Sequence, residues 1–250
     1  MKSARTLSLI LALACALPGF AQKRTINIAS YDYLPFNGHG LKDDGAITKL
    51  TAMVFEKAGY TVKVNHHDEP WARILAEAQA GDFDALVSVW ESKEREAYLA
   101  ITDPIMNNDV GFFAMKADGI TAGSAKALED AKLTVGAVRG YAMPKPLAGT
   151  KLAFDYADSD EALVKKFVAG REKVILTDKA VGLYFAGKQG ADLPGKMQWL
   201  FSAESTPLRT GVVKAGKADW PTVVKDYNTA LAGLVKDGTV AKVLKEYGLR

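Results

Sequence analysis

Apolar positions along the chain change their period repeatedly, from alternation to helical spacing and back. Ile26 and Ile28 alternate with polar residues as in a half-buried strand. Ile47, Leu50, Val54, Phe55 and Ala58 then recur at helical spacing until Gly59 ends the pattern. Val62 and Val64 alternate again, the helical run Trp71 to Ala80 stops at Gly81, and Asp84 to Val89 reads as a buried strand. This succession predicts a mostly parallel sheet with helices on its faces. The rhythm restarts near Val110, with strands predicted at Val110 to Met115, Leu133 to Val138, Leu152 to Phe154 and Val174 to Leu176. Helices are predicted at Asp160 to Val168 and Asp178 to Ala186. The last stretch gives a strand at Thr210 to Val213 and two helices, one through Val223, Tyr227, Leu231 and Leu234, the other through Val240, Val243, Leu244 and Tyr247. No repeat, low-complexity tract or Pro-rich linker interrupts the chain.

The first residues follow a different logic. Lys2 and Arg5 form a basic start, and Leu7 to Leu17 is an apolar run too short for a spanning helix of roughly 20 residues. Pro18 and Gly19 break it, and small residues at 19 and 21 set a cleavage after Ala21. The chain is therefore expected to be exported, with residues 1–21 removed and Gln22 first. A lipoprotein signal at Cys15 fits poorly, because Ala12, Leu13 and Ala14 precede it. Cys15 is the one cysteine, so its removal leaves no thiol, and stability rests on packing and not on disulfides.

Composition narrows the function classes. The formal net charge of +3 falls by two when Lys2 and Arg5 are removed, which gives no electrostatic case for nucleic acid. The chain has neither a GxSxG elbow nor a phosphate loop. Gly38-His39-Gly40 lacks the third glycine of a dinucleotide fingerprint and reads as a surface turn. His66 and His67 are neighbours at a strand end, so their rings point to opposite faces and do not converge on one ion. A solvated loop between strand and helix is expected there, with no metal and no cofactor.

One stretch stands out. DALVSVWESKEREAYLAITDPI begins at Asp84 as a buried strand and opens onto Trp90, a charged run and Arg95. Ligands of open parallel sheets collect beyond the carboxyl ends of the strands. An arginine there offers a planar fork for a carboxylate. Spacing alone leaves a second reading open, a surface charge pairing with Glu91 or Glu94.

The order of several stretches decides how these pieces combine. YDYLPF, EPW, AGDFDALVS, SKEREAYLAITDPI, KLTVGAVRGYA, VILTDKAV and VVKDYNTALAGLVKDGTVAKVLKEYG follow one another from about Thr25 to the end. In this order they resemble the amino-acid-type (family 3) periplasmic solute-binding proteins of ABC transporters. The resemblance implies a two-lobed α/β fold of the type II periplasmic binding protein class, with two crossing hinge strands and the ligand in the cleft. Lobe one would comprise 23–108 and 206–250, lobe two 109–205. It implies that Arg95 holds a ligand carboxylate, that Asp178 takes the ligand amine, and that Tyr33 and Trp71 stack against the ligand, with Ser88 beside the arginine. Packing in the core is the other role open to the two aromatic residues.

Two departures bear on the ligand. The interval from Asp84 to Arg95 is one residue short, with Trp90 and Glu91 where small or hydroxylated residues usually stand. Gly140-Tyr141 replaces Gly-Thr or Gly-Ser, putting a phenol where a hydroxyl is usual. The expected ligand is a small, polar, zwitterionic solute, an amino acid or a derivative, and the expected partner is an inner-membrane ABC permease served by a monomer. The competing functions are an exported enzyme resembling arogenate or prephenate dehydratases, using Glu91 or Asp178 as acids, and a soluble ligand-sensing module.

Overall fold

The structure, a computed structural model, describes residues 23–215 and 219–249. The expected export signal, residues 1–21, lies outside them. Strands β1 (Lys23–Tyr31) and β2 (Tyr60–His67) pair in parallel, with Ile26 opposite Val62 and Ile28 opposite Val64. Helix α1 (Ala46–Lys57) connects them and packs on the sheet through Ile47, Leu50 and Val54, all fully buried. Pro70 sets the start of α2 (Trp71–Ala80), and Gly81, at φ 82°, ends it in a left-handed cap. β3 (Ala85–Val89) follows, buried at every residue and parallel to β1. Burial of Leu86, Val87 and Val89 contributes about 1.5–3 kcal/mol each and fixes where this strand ends.

A short helix α3 (Lys93–Glu96), capped by Ser92, leads into β4 (Leu99–Ile101) and then β5 (Met106–Met115). The chain continues through α4 (Ala125–Asp130), β6 (Thr134–Val138), β7 (Ala153–Ala157), α5 (Asp160–Val168), β8 (Val174–Asp178), α6 (Lys179–Gln189) and α7 (Leu193–Lys196). It ends with β9 (Met197–Val213), α8 (Trp220–Lys236) and α9 (Thr239–Glu246). The strand order is β2-β1-β3-β9-β5-β8-β6-β7, with β4 also on β9. Two parallel triplets, β2-β1-β3 and β8-β6-β7, are thus joined through the antiparallel pair β5 and β9. The fold is the expected two-lobed type II α/β class. Helices α1, α8 and α9 pack together on the first triplet's side, and α5 and α6 pack on the second.

β9 is much longer than the strand predicted at Thr210 to Val213. Its residues 197–208 pair with β5, and from Arg209 to Val213 it pairs with β3 and β4. Pro207 still pairs with Asn107 of β5, two residues before the partner changes. A proline inside a run argues against a strand, and here it sits just ahead of the point where one ladder gives way to another. The region of His66 and His67 is also not a solvated loop. Both residues belong to β2, and their side chains are only 14% and 20% exposed.

Candidate functional site

The first wall of the site is built where β1, α2 and β3 present their carboxyl ends or first turns. Tyr31 and Tyr33 are two residues apart and therefore share a face; their rings stack at 6.2 Å. The Tyr31 hydroxyl donates to the Ser88 carbonyl at 2.9 Å. Ser88 has φ 53°, a left-handed conformation costing a non-glycine residue on the order of 1–3 kcal/mol, and its hydroxyl donates to Asn37 Oδ1. Asn37 in turn donates to the Tyr31 carbonyl at 2.6 Å. This network holds the end of β3 as it releases Trp90. Trp71, the first residue of α2, brings its ring within 4.6 Å of Tyr31.

Arg95 closes this wall. Its amide donates to Ser92 Oγ at 3.3 Å, so the capped turn of α3 orients the side chain back toward β3. The guanidinium donates from Nη1 to the Trp90 carbonyl at 2.6 Å and from Nη2 to the Gly140 carbonyl at 2.9 Å, and it lies 5.2 Å from the Trp71 ring centroid. At 3% exposure it is no solvated surface charge. Glu91 pairs with Arg209 at 3.5 Å, and among the described residues no carboxylate forms an ion pair with Arg95. Burial pushes its pKa down from the usual value; arginine remains charged even so.

The second wall comes from the end of β6 and the starts of α5 and α6. Gly140, at φ 77°, turns its carbonyl to accept from both Arg95 and Trp71 Nε1, the latter at 3.1 Å. Tyr141 then enters edge-on among Trp90, Tyr33 and Trp71, at centroid distances of 5.3, 6.2 and 6.2 Å. Its hydroxyl donates to Asp160 Oδ2 at 2.5 Å, while Asp160 Oδ1 accepts from Thr177 at 3.2 Å. Burial pushes the Asp160 carboxyl up to about 6. Asp178, 1% exposed, caps α6 by accepting from the amides of Ala180 and Val181 at 2.8 and 3.0 Å. Burial first, opposed by those amides and reinforced by Asp160, pushes it up to about 7.

Six of the residues singled out in the sequence, Tyr33, Trp71, Ser88, Trp90, Arg95 and Tyr141, meet with Tyr31 around one cavity. Its volume of about 10 Å³ has room for about one water molecule. Asp178 does not line it. It faces a neighbouring cavity of about 480 Å³ with Phe36, Asn108 and Lys179. Asn108 links the two, donating to the Tyr33 hydroxyl at 2.9 Å and lying beside Asp178. A third cavity, about 350 Å³, opens next to Tyr31 and Tyr141. Asp32, Asp68, Glu69, Asp158, Asp160 and Glu161 line it, and none of its lining residues is a lysine or arginine. Two polar atoms here, Trp90 Nε1 and Asn108 Oδ1, are buried without a hydrogen-bond partner among the described residues.

Sequence reasoning missed Tyr31, Asn108 and Asp160. Tyr31 carries a signal, the two-residue spacing to Tyr33. Asp160 follows the N-cap Ser159 and so reads as an ordinary first-turn acid.

Residues 26–250 match the family model of bacterial extracellular solute-binding proteins, family 3, and the chain belongs to that family. No curated protein sequence matches it. Among solved structures it is similar to a histidine kinase sensor domain with similarity to periplasmic binding proteins, at 18% identity and a TM-score of 0.75, covering 90% of this chain and 96% of that one. It is similar also to an ABC uptake transporter substrate-binding protein from Streptococcus pneumoniae with bound histidine, at 21% identity and a TM-score of 0.71, covering 89% and 92%. A third is an ancestral amino acid-binding protein, a precursor of cyclohexadienyl dehydratase, at 21% identity and a TM-score of 0.70, covering 89% and 94%. At these identities the likeness carries the fold and not the ligand.

Proposed function

We propose that the protein is exported and captures a small polar ligand bearing a carboxylate and a cationic group, an amino acid or a derivative, between its lobes for delivery to an ABC permease. The observation that carries this reading is Arg95. A guanidinium 3% exposed, satisfied in part by two carbonyls and by no carboxylate, is half of an ion pair whose partner has to come from outside. Buried charges are paired, or they cost several kcal/mol. The opposite wall supplies Asp158, Asp160 and Glu161 for the ligand cation. We take lobe one as 23–108 with 206–250 and lobe two as 109–205, a division supported by the change of partner along β9. The cavity that Arg95 shares with Tyr33, Trp71 and Tyr141 holds only about 10 Å³, so ligand entry there requires the lobes to part.

A thermal-shift screen of amino acids and related small acids tests the reading. Ligand at a hundred times its dissociation constant stabilises by about 2.7 kcal/mol, roughly 5–10 °C at this size. No shift with any carboxylate would count against it.

A second reading is favoured by the raised pKa values of Asp160 and Asp178, since acids titrating at about 6 and about 7 suit proton transfer near neutrality. Turnover of arogenate or prephenate, followed by product absorbance, separates catalysis from binding. Glu91 is not part of that reading, because it pairs with Arg209 and lines none of the three cavities.

A further inference from the structure

All three histidines of the chain stand in two clusters near the carboxyl end of β2. His66 and His67 leave opposite faces of the strand, as their adjacency requires, and each joins a separate cluster. His67 Nδ1 is hydrogen-bonded to Glu77 at 3.1 Å, and Glu77 is held by Arg73 as well. His66 is different. Both of its ring nitrogens are buried, and neither has a hydrogen-bond partner among the described residues. Carboxylate oxygens of Asp32 and Asp68 stand 3.4 and 3.3 Å from its Nε2, in contact but out of line for a hydrogen bond.

The turn after Asn37 brings further ligand atoms to the same place. Gly38, at φ 148°, leaves space for the Asp32 carboxylate, which a Cβ there would meet at 2.7 Å. Asp32 Oδ1 accepts the His39 amide at 2.7 Å, and the Gly38 amide donates to the Asp44 carbonyl at 2.9 Å. The loop therefore closes with His39 and Asp44 side by side over the strand end, the rings of His39 and His66 5.3 Å apart. One potential ligand atom from each of His39, Asp44 and His66 lies within 4.8 Å of the others. Asp44 forms no ion pair among the described residues, its neighbour Asp43 taking Lys49 instead.

We infer that His39, His66 and Asp44, with Asp32 in the fourth position, bind a divalent transition-metal ion of the zinc type. Tetrahedral coordination at about 2.0–2.1 Å sets neighbouring ligand atoms about 3.3 Å apart, close to the 3.4 Å between His66 Nε2 and Asp32, and within reach of the His39, Asp44 and His66 atoms, which lie within 4.8 Å of one another. Rotation of the exposed His39 side chain completes the set. Two imidazoles with carboxylates select zinc, copper or nickel over calcium and magnesium, which take oxygen ligands. A dication there would satisfy a buried lone pair that now has no partner. Asp32 also lines the acidic cavity, so the ion would lessen negative charge at that rim. The inference stands apart from the identity of the organic ligand.

The test is calorimetric titration of untagged protein with Zn²⁺, with elemental analysis after dialysis and the visible spectrum of the Co²⁺-loaded form. The expected result is one equivalent bound, four-coordinate by the Co²⁺ spectrum. His39→Ala and His66→Gln should each weaken it at least about tenfold, and His67→Ala should leave it unchanged. His39 is exposed, so its variant keeps the test decisive even where His66→Gln fails to fold. Absence of stoichiometric binding at micromolar Zn²⁺ would overturn the site. So would binding that survives His39→Ala but is lost in His67→Ala.

Discussion

Arg95 and Asp178 occupy comparable settings, each where a strand gives way to a helix, Asp178 as the last residue of β8 and cap of α6 and Arg95 within the short α3 that follows β3, and each at most 3% exposed. Their partners differ. Asp178 is met by two backbone amides of its own helix, a complete local cap. Arg95 donates to two carbonyls, one from its own wall and one from the wall opposite, lies over the Trp71 ring, and meets no carboxylate in an ion pair among the described residues. The acidic wall can therefore shed its charge by taking up protons, as the raised pKa values of Asp160 and Asp178 show. Arginine has no such escape. On the proposed reading, the cationic wall is the one whose charge a ligand would answer, and the acidic wall is the one that adjusts with pH.

The largest effect should come from removing the fixed charge. Arg95→Ala leaves a bound carboxylate buried and unpaired, and should cost about 3–5 kcal/mol of affinity, about a hundred- to several-thousand-fold, read by calorimetry with any ligand found in the screen. The residue also bridges Trp90 and Gly140, so the melting temperature of the unliganded variant should fall too. Full retention of affinity would reduce Arg95 to a structural bridge between the walls.

The acidic wall is tested by pH. Both acids have folded pKa values raised above the ordinary 3.8, to about 6 and about 7. Below about pH 4 each is protonated in both states and exacts nothing. As pH rises the unfolded chain ionises first, so stability should fall until about pH 7 and then level off, by on the order of 3 kcal/mol per acid. Asn at 178 can still accept from the Ala180 and Val181 amides. Asp178→Asn should therefore flatten the urea-denaturation profile between pH 4 and 8 and raise stability at pH 7.5; an unchanged slope would contradict the assignment. The same variant, beside Asp160→Asn, shows which acid serves a ligand amine, since only amine-bearing ligands should lose affinity.

Smaller effects probe how the walls meet. Tyr141→Phe removes a donor from buried Asp160 and should cost about 1–3 kcal/mol of stability, with the deficit shrinking below pH 6 as the acid becomes protonated. Ser92→Ala removes the cap that orients Arg95 and should cost about 0.5–2 kcal/mol, with a weaker loss of ligand affinity than Arg95→Ala.

On the cationic wall, Arg95 was legible because it lies in one stretch with the strand that positions it, whereas Tyr33 and Trp71 were reached through the resemblance. A buried apolar run ending at Val89, followed by Trp90 and Arg95, places the guanidinium at a strand end by pattern alone. On the acidic wall, Asp178 was reached only through the resemblance carried by VILTDKAV, and Asp160 was missed, because an acid in a first turn is ordinary in any protein and only its burial distinguishes it. The parallel triplets followed from period and breakers, since β1 and β2 alternate apolar with polar residues and β3, β6 and β8 are short, largely apolar runs. β9 did not, because Glu204, Pro207 and Arg209 interrupt its alternation where it passes from one set of partners to another. The burial of His66 was hidden for a related reason: two adjacent histidines beside Asp68 and Glu69 look solvated until β1 and the turn after Asn37 are placed over them.

The claim that Arg95 is the waiting half of an ion pair is tested most directly by a cycle that removes the charge from either side. Calorimetry would compare the amino acid giving the largest thermal shift with its carboxamide, against the parent protein and against Arg95→Ala. The account predicts that the parent prefers the carboxylate about a hundredfold or more and that the variant scarcely distinguishes the two. Equal discrimination by both proteins would contradict it.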